Sequence, residues 1–235
     1  MMYLKRAAAV LLGLVATGAF AGEPVETEVD CPISTEKVSV LTTTSCSVSN
    51  WGVYMSLRRP TSCDFVARMP KCKKERFPIY KTFAPDELPR LQQIVKAPWY
   101  QSAKSESPYL RAYLIEKDLG ARGAEGQFWL LQQGHFHDPQ NTYGNGKYYE
   151  AFKEAANAFL KVAKKEDRKV VLLMAAFARV HSDEPQKAQQ MLRLAEREMD
   201  DSDGFFDDYA ARVNACISRP KAEECAPMFL FDPND

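Results

Sequence analysis

The sequence predicts an α+β protein that is mainly α, in which a small disulfide-stapled β-rich ribbon precedes a series of antiparallel helix pairs. Three observations carry this. The apolar period is two before residue 84 and helical after it. Four of the six cysteines lie between Cys31 and Cys72. The helical segments are joined by short loops, which makes antiparallel neighbours the default. The 235 residues are 46% hydrophobic and 26% charged, ordinary for a folded protein, and 31 basic side chains balance 31 acidic ones. A nucleic-acid binder needs a basic excess to neutralise phosphates, so that class is disfavoured.

Residues 1–21 read as an export signal. Lys5 and Arg6 form a charged start, Ala7 to Ala16 an apolar run, and Ala19-Phe20-Ala21 a small-residue cleavage site that leaves Gly22 as the first mature residue. The apolar run is broken by Gly13, Thr17 and Gly18, and falls short of the ~20 residues a membrane span requires. The longest later apolar stretch, Val170 to Ala178, is shorter still, so no span is expected in the mature chain. Losing Lys5 and Arg6 leaves 29 basic against 31 acidic residues. An even number of cysteines in an exported chain argues for disulfides and a periplasmic or secreted location. The simplest partition puts two bridges in the N-terminal module and one, Cys216–Cys225, on the C-terminal tail.

The expected module at 22–83 takes its strands from Lys37-Val-Ser-Val-Leu-Thr-Thr-Thr and Trp51-Gly-Val-Tyr-Met-Ser-Leu, both β-branched or aromatic with period two. Cys46 to Asn50 supplies a turn, and Phe77-Pro-Ile-Tyr-Lys-Thr-Phe a short last strand. The helical region is expected at 84–217, with a tail at 218–235. Pro85-Asp-Glu-Leu opens a first helix reaching Trp99, and Ser107-Pro108 opens a second that ends at Gly120. A third carries Phe128 to Leu131. Asp138 to Gly146 reads as loop, and helices follow at about 147–164, 166–181, 184–199 and 204–217. Trp99, Tyr100, Phe128, Trp129, Phe205 and Phe206 fall at helical positions and are expected in the core.

A weak repeat runs through these helices. Ala124/Phe128/Leu131, Ala155/Phe159/Val162 and Ala188/Leu192/Ala195 share a small-to-large spacing and are offset by 31 and 33 residues. Tetratricopeptide units recur at about 34 residues and place small residues where helices meet closely. Leu172 to Glu198 looks most like such a unit, but lacks the aromatic and Gly pair of its first helix. A tetratricopeptide-like stack and an irregular helical bundle therefore both fit.

Cys31-Pro32-Ile33-Ser34 and Met69-Pro70-Lys71-Cys72 look like two halves of a zinc ribbon. A ribbon brings two Cys-x2-Cys knuckles together so that four thiolates surround the metal. Here Ser34 and Met69 stand where two of those thiolates belong. With Phe77-Pro-Ile-Tyr, Pro85-Asp-Glu-Leu and Glu116-Lys-Asp-Leu-Gly, the layout resembles a bacterial exported family of unknown function in which a Cys-Pro-x-Cys ribbon precedes a tetratricopeptide-like region. The resemblance implies zinc at the knuckle cysteines, of which only Cys31 and Cys72 are present here. Facing knuckles imply instead a Cys31–Cys72 bridge, with Cys46–Cys63 joining the strands beside the turn.

Other chemistry is sparse. His135 and His137 are weak metal candidates, since residues two apart on a helix point about 200° apart; the plainer reading is that they, like His181, cap a helix C-terminus. Asp200, Asp201, Asp203, Asp207 and Asp208 lack calcium-loop spacing. Gly144-Asn-Gly-Lys does not follow a strand, and the motifs of serine hydrolases, zinc proteases and Cys-x-x-Cys redox pairs are absent. The sequence thus predicts an exported non-catalytic interaction or scaffold protein with protein partners and no cofactor. The alternative is an envelope metal-binding or thiol-redox-linked protein. Charge is segregated, with a basic cluster from Arg68 to Arg76 and the acidic run near the C-terminus.

Overall fold

The computed structural model describes residues 22–49, 51–66, 69–198 and 204–232. The expected leader at 1–21, with Ala21, lies outside the described residues, as do Arg68 and Asp200, Asp201 and Asp203. The fold is mainly α with small β elements. Strand β1 (Val25–Asp30) pairs antiparallel with β2 (Lys37–Thr42), placing Val25 opposite Thr42 and Asp30 opposite Lys37. Strand β3 (Val53–Tyr54) pairs antiparallel with β4 (Leu230–Phe231), so a strand of the N-terminal part is completed by the tail.

The helices are α1 (Leu88–Ile94), α2 (Pro98–Ser102), α3 (Pro108–Leu119), α4 (Ala124–His137), α5 (Pro139–Thr142), α6 (Gly146–Leu160), α7 (Lys165–Val180), α8 (Pro185–Glu196) and α9 (Gly204–Ser218), followed by a short 3-10 turn at Glu223–Cys225. Local chemistry sets their ends. The Ser107 hydroxyl accepts from the Tyr109 N–H, Pro108 occupies the first turn, and Gly120 closes α3 with φ +66°, its N–H donating to the Glu116 carbonyl. Asn145 caps α6 by accepting from the Tyr148 N–H.

Three expected elements differ. The single helix from Pro85 to Trp99 is split, because Pro98 holds Ala97 extended at ψ 141° and forces a new start at α2. The strand expected over 51–57 shrinks to β3, flanked by left-handed backbone at Gly52 and Leu57 and closed by a turn from the Leu57 N–H to the Tyr54 carbonyl. The segment 77–83 makes only an isolated bridge between Lys71 and Pro78, a residue that has no N–H to offer a ladder. Within the expected loop, Pro139–Thr142 forms the one turn of α5.

Three apolar clusters hold these elements. The first joins α3, α4, α6 and one side of α7 through Tyr113, Phe128, Phe152, Phe159 and Val171. The second uses the other side of α7, through Leu173, Ala176 and Phe177, with α8, α9, Val53, Met55 and Phe231. The third surrounds Cys31 and Cys72 with Phe77, Leu91, Ile94, Tyr100 and Ile115. Packing therefore runs across residue 83. Tyr209 of α9 donates to the Met55 carbonyl at 2.8 Å, tying the two parts directly. Of the aromatics expected inside, Tyr100 and Phe128 are fully buried, whereas Trp99, Trp129, Phe205 and Phe206 are only partly so.

Close approach explains Gly134: a methyl group there would sit 1.9 Å from the Tyr148 hydroxyl, which instead donates to the Leu131 carbonyl at 2.5 Å. The repeat spacing is kept in α8, where Ala188, Leu192 and Ala195 are all buried. It fails in the second triplet, because α6 ends at Leu160 and Val162 beyond it is 70% exposed.

Candidate functional site

The structure joins Cys31 to Cys72, Cys46 to Cys63 and Cys216 to Cys225, each with Cα atoms 5.6 Å apart. All six thiols are thereby used. Cys31 and Cys72 lie in facing turns: the Ser34 N–H returns to the Cys31 carbonyl, and the Cys72 N–H to the Phe77 carbonyl. The two substituted knuckle positions diverge from that centre. Ser34 is exposed and its hydroxyl accepts from the Glu36 N–H, whereas Met69 packs on the first helical cluster. Three bridges in one small protein point to an oxidising environment.

His135 is not a helix cap. It is wholly buried, its ring stacked 4.4 Å from Tyr143 and lying 4.5 Å from Phe152, with Nδ1 3.4 Å from the side-chain Oε1 of Gln132. Burial, then the nearby His181, push its pKa down to about 3. It is a neutral core imidazole at ordinary pH. His137 turns elsewhere, stacking on Tyr109 6.3 Å away and lining a polar pocket with Asp138, Arg58 and Arg76. The helix thus separates the two rings, and among the described residues no three His, Cys, Asp or Glu side chains converge to hold a metal ion. His181 does stand at the C-cap of α7, where it packs on Phe177 and Tyr143 and burial lowers its pKa. Asp207 and Asp208, the described part of the acidic run, lie exposed on α9, Asp207 in its first turn.

A groove of about 510 Å³ between α2, α3 and α6 is a candidate binding site. Its floor is apolar: Leu110 and Tyr113 from α3 and Ala151 from α6 are buried, and Leu114 and Trp99 are partly open. Charged pairs frame it. Lys117 of α3 meets Glu154 of α6 at 2.8 Å, and Lys147 of α6 meets Glu106, just before α3, at 2.7 Å. Both pairs tie α6 to α3 or to the turn that leads into it. Each holds its carboxyl below the usual range, through the Lys117 bond at Glu154 and the Lys147 bond at Glu106. Lys153 and Glu150 pair at 2.6 Å along α6, and the Lys117 ammonium lies 5.6 Å from the Tyr113 ring centre. An apolar floor inside a polar frame can take an apolar group while the edge offers hydrogen bonds to polar groups beside it.

Leu110, Tyr113 and Leu114 are visible in the sequence as one helix face. The polar frame is not, because the residues of its two spanning pairs are separated by 37 and 41 positions. The same holds for Glu116, read from the sequence only as part of a helix end. Its buried carboxylate stands 3.2 Å from Lys81 and 3.8 Å from Arg122, drawing the 77–83 segment onto α3. Arg111, also wholly buried, donates to the Lys104 carbonyl at 2.5 Å and ties the α2–α3 turn. Compared with protein-family models, curated proteins and solved structures, the chain finds no match.

Proposed function

We propose that the mature chain is a non-catalytic interaction or scaffold protein of the cell envelope, periplasmic or secreted, that receives a protein partner in the α2–α3–α6 groove. The observation that carries this reading is the groove itself, with Tyr113, Leu110 and Leu114 on its floor and Lys117–Glu154 and Lys147–Glu106 across its frame. Tyrosine in a recess ringed by polar groups is the kind of anchor on which binding energy concentrates. The export signal read at 1–21 and the three bridges support a location outside the cytosol.

Site-specific photo-cross-linking in intact cells tests it. A cross-linking residue at Leu114 or at exposed Asn157 is expected to trap the same partner, and one at exposed Gln186 on α8 to trap none. Equal cross-links from all three positions, or none from the groove, would overturn the assignment.

A further inference from the structure

Strand β1 is an edge left open. Among the described residues the sheet holds only β1 and β2, and from Val25 to Asp30 every residue except Val29 is exposed. Among the described residues the backbone of 25–30 makes no hydrogen bond beyond its ladder with β2. Such an edge is a template for another strand, and proteins usually blunt it with charged side chains, Lys above all, with Pro or with a bulge. The sequence Val25-Glu-Thr-Glu-Val-Asp has neither Lys nor Pro, and its register with β2 runs unbroken through all six pairs.

Its charges select what can add there. Side chains alternate across a strand, so Glu26, Glu28 and Asp30 share one face and Val25, Thr27 and Val29 the other. Glu26 accepts from Ser39, and Glu28 lies 3.4 Å from Lys37 in an exposed pair. Lys37 is the lone cationic side chain of residues 22–42, against Glu23, Glu26, Glu28, Asp30 and Glu36. The hairpin is therefore strongly acidic in a chain with no net charge. A second copy adding through β1 would set this acidic row beside itself, and neighbouring like charges destabilise a ladder. A strand with cations at alternate positions meets the carboxylates and completes the free hydrogen bonds.

We propose that β1 is a docking edge for an extended segment of a partner protein that carries Lys or Arg at alternate positions, with β-branched residues between them. It would bind by strand addition, the ladder supplying affinity and the carboxylates supplying choice. This edge shares no residue with the groove, so the two readings fail independently.

The test uses the mature chain and three synthetic peptides matching β1 in length: Lys-Val-Lys-Thr-Arg-Val, the same peptide N-methylated at alternate residues on each edge, and Glu-Val-Glu-Thr-Glu-Val. Amide hydrogen exchange is read residue by residue. Millimolar basic peptide is expected to slow exchange across residues 25–30, and the methylated and acidic peptides to leave it unchanged. In E26Q/E28Q/D30N the affinity of the basic peptide is expected to fall about tenfold, with exchange in the helices unaltered to show that the variant is folded. Absence of protection, protection outside the hairpin, or equal binding of the methylated peptide would overturn strand addition. Undiminished binding to the triple variant would overturn the role of the carboxylates. Slowed exchange in the free chain at rising concentration would assign the edge to a second copy instead.

Discussion

The two halves of the molecule are held by different means. Residues 22–83 form few regular ladders and bury a short set of apolar side chains, chiefly Ile33, Val38, Val53, Met55, Phe77 and Phe83, and two of the three disulfides are theirs. Residues 84–217 are organised around α7, which is buried along most of its length and shared between two clusters. Burying a large aliphatic or aromatic side chain contributes about 1.5–3 kcal/mol, so the helical half has ample means of its own and the N-terminal half does not. Small modules with thin cores need covalent staples. The halves nevertheless share clusters, and the bridge Cys31–Cys72 lies where Leu91, Ile94 and Tyr100 pack against it.

Removing that bridge should separate the two halves most clearly. Its sequence separation is 41, against 17 for Cys46–Cys63 and 9 for Cys216–Cys225. Loop-closure entropy then ranks it first, at about 4 kcal/mol, with about 3 kcal/mol for each of the others. C31S/C72S is expected to lower the urea midpoint more than C46S/C63S. Hydrogen exchange should show the loss first in 31–42 and 70–83 while α7 stays protected. An equal loss across α7 would mean that the halves unfold as one unit and that the contrast drawn here is wrong.

The helical half makes its own prediction through His135. An unfolded imidazole takes up a proton below about pH 6.5. In the fold His135 resists protonation until about pH 3. Between those values the unfolded chain holds more protons, so stability falls as pH falls through this window and is fully present above it. His181, lowered by burial, acts in the same direction. Paired carboxylates such as Glu106 and Glu154 lose their contribution only at lower pH, which leaves the upper part of the window to the histidines. Through His135 alone the unfolding free energy is expected to drop by about 1 kcal/mol per pH unit between pH 6 and 5. In His135→Phe the slope should fall by about that amount. An unchanged slope in urea titrations would place the acid sensitivity elsewhere.

What the sequence reveals follows from how local each cause is. Ser107-Pro108 and Gly120 mark α3 at both ends because capping is decided within a few residues. Pro98 is equally local, but the apolar spacing continues through it and hides the break. The short β3 depends on its partner β4, near the far end of the chain, which no window around residue 53 contains. The environment of His135 is likewise non-local: its position in the last turn of α4 suggests a cap, but Tyr143 and Phe152 from later elements enclose it. The groove divides the same way, with an apolar floor that helical spacing reveals and a polar frame assembled from distant residues.

That frame supplies the smallest and most specific prediction. Lys117 and Glu154 are both well exposed, and such pairs contribute between zero and about 1 kcal/mol. Lys117→Ala is therefore expected to leave the urea midpoint nearly unchanged, in contrast to the bridge variants. It removes an edge group and part of the cover over Tyr113, so cross-linking from Leu114 should weaken while the fold stays intact. Charge reversal, K117E/E154K, keeps the pair and inverts its polarity. Retained cross-linking in the reversal but not in Lys117→Ala would show that the pair acts by shaping the groove. Loss in both would show that the partner reads the sign of the charge. A stability loss as large as that of C31S/C72S would make the pair part of the fold's support, and the groove would lose its claim to be a surface kept for a partner.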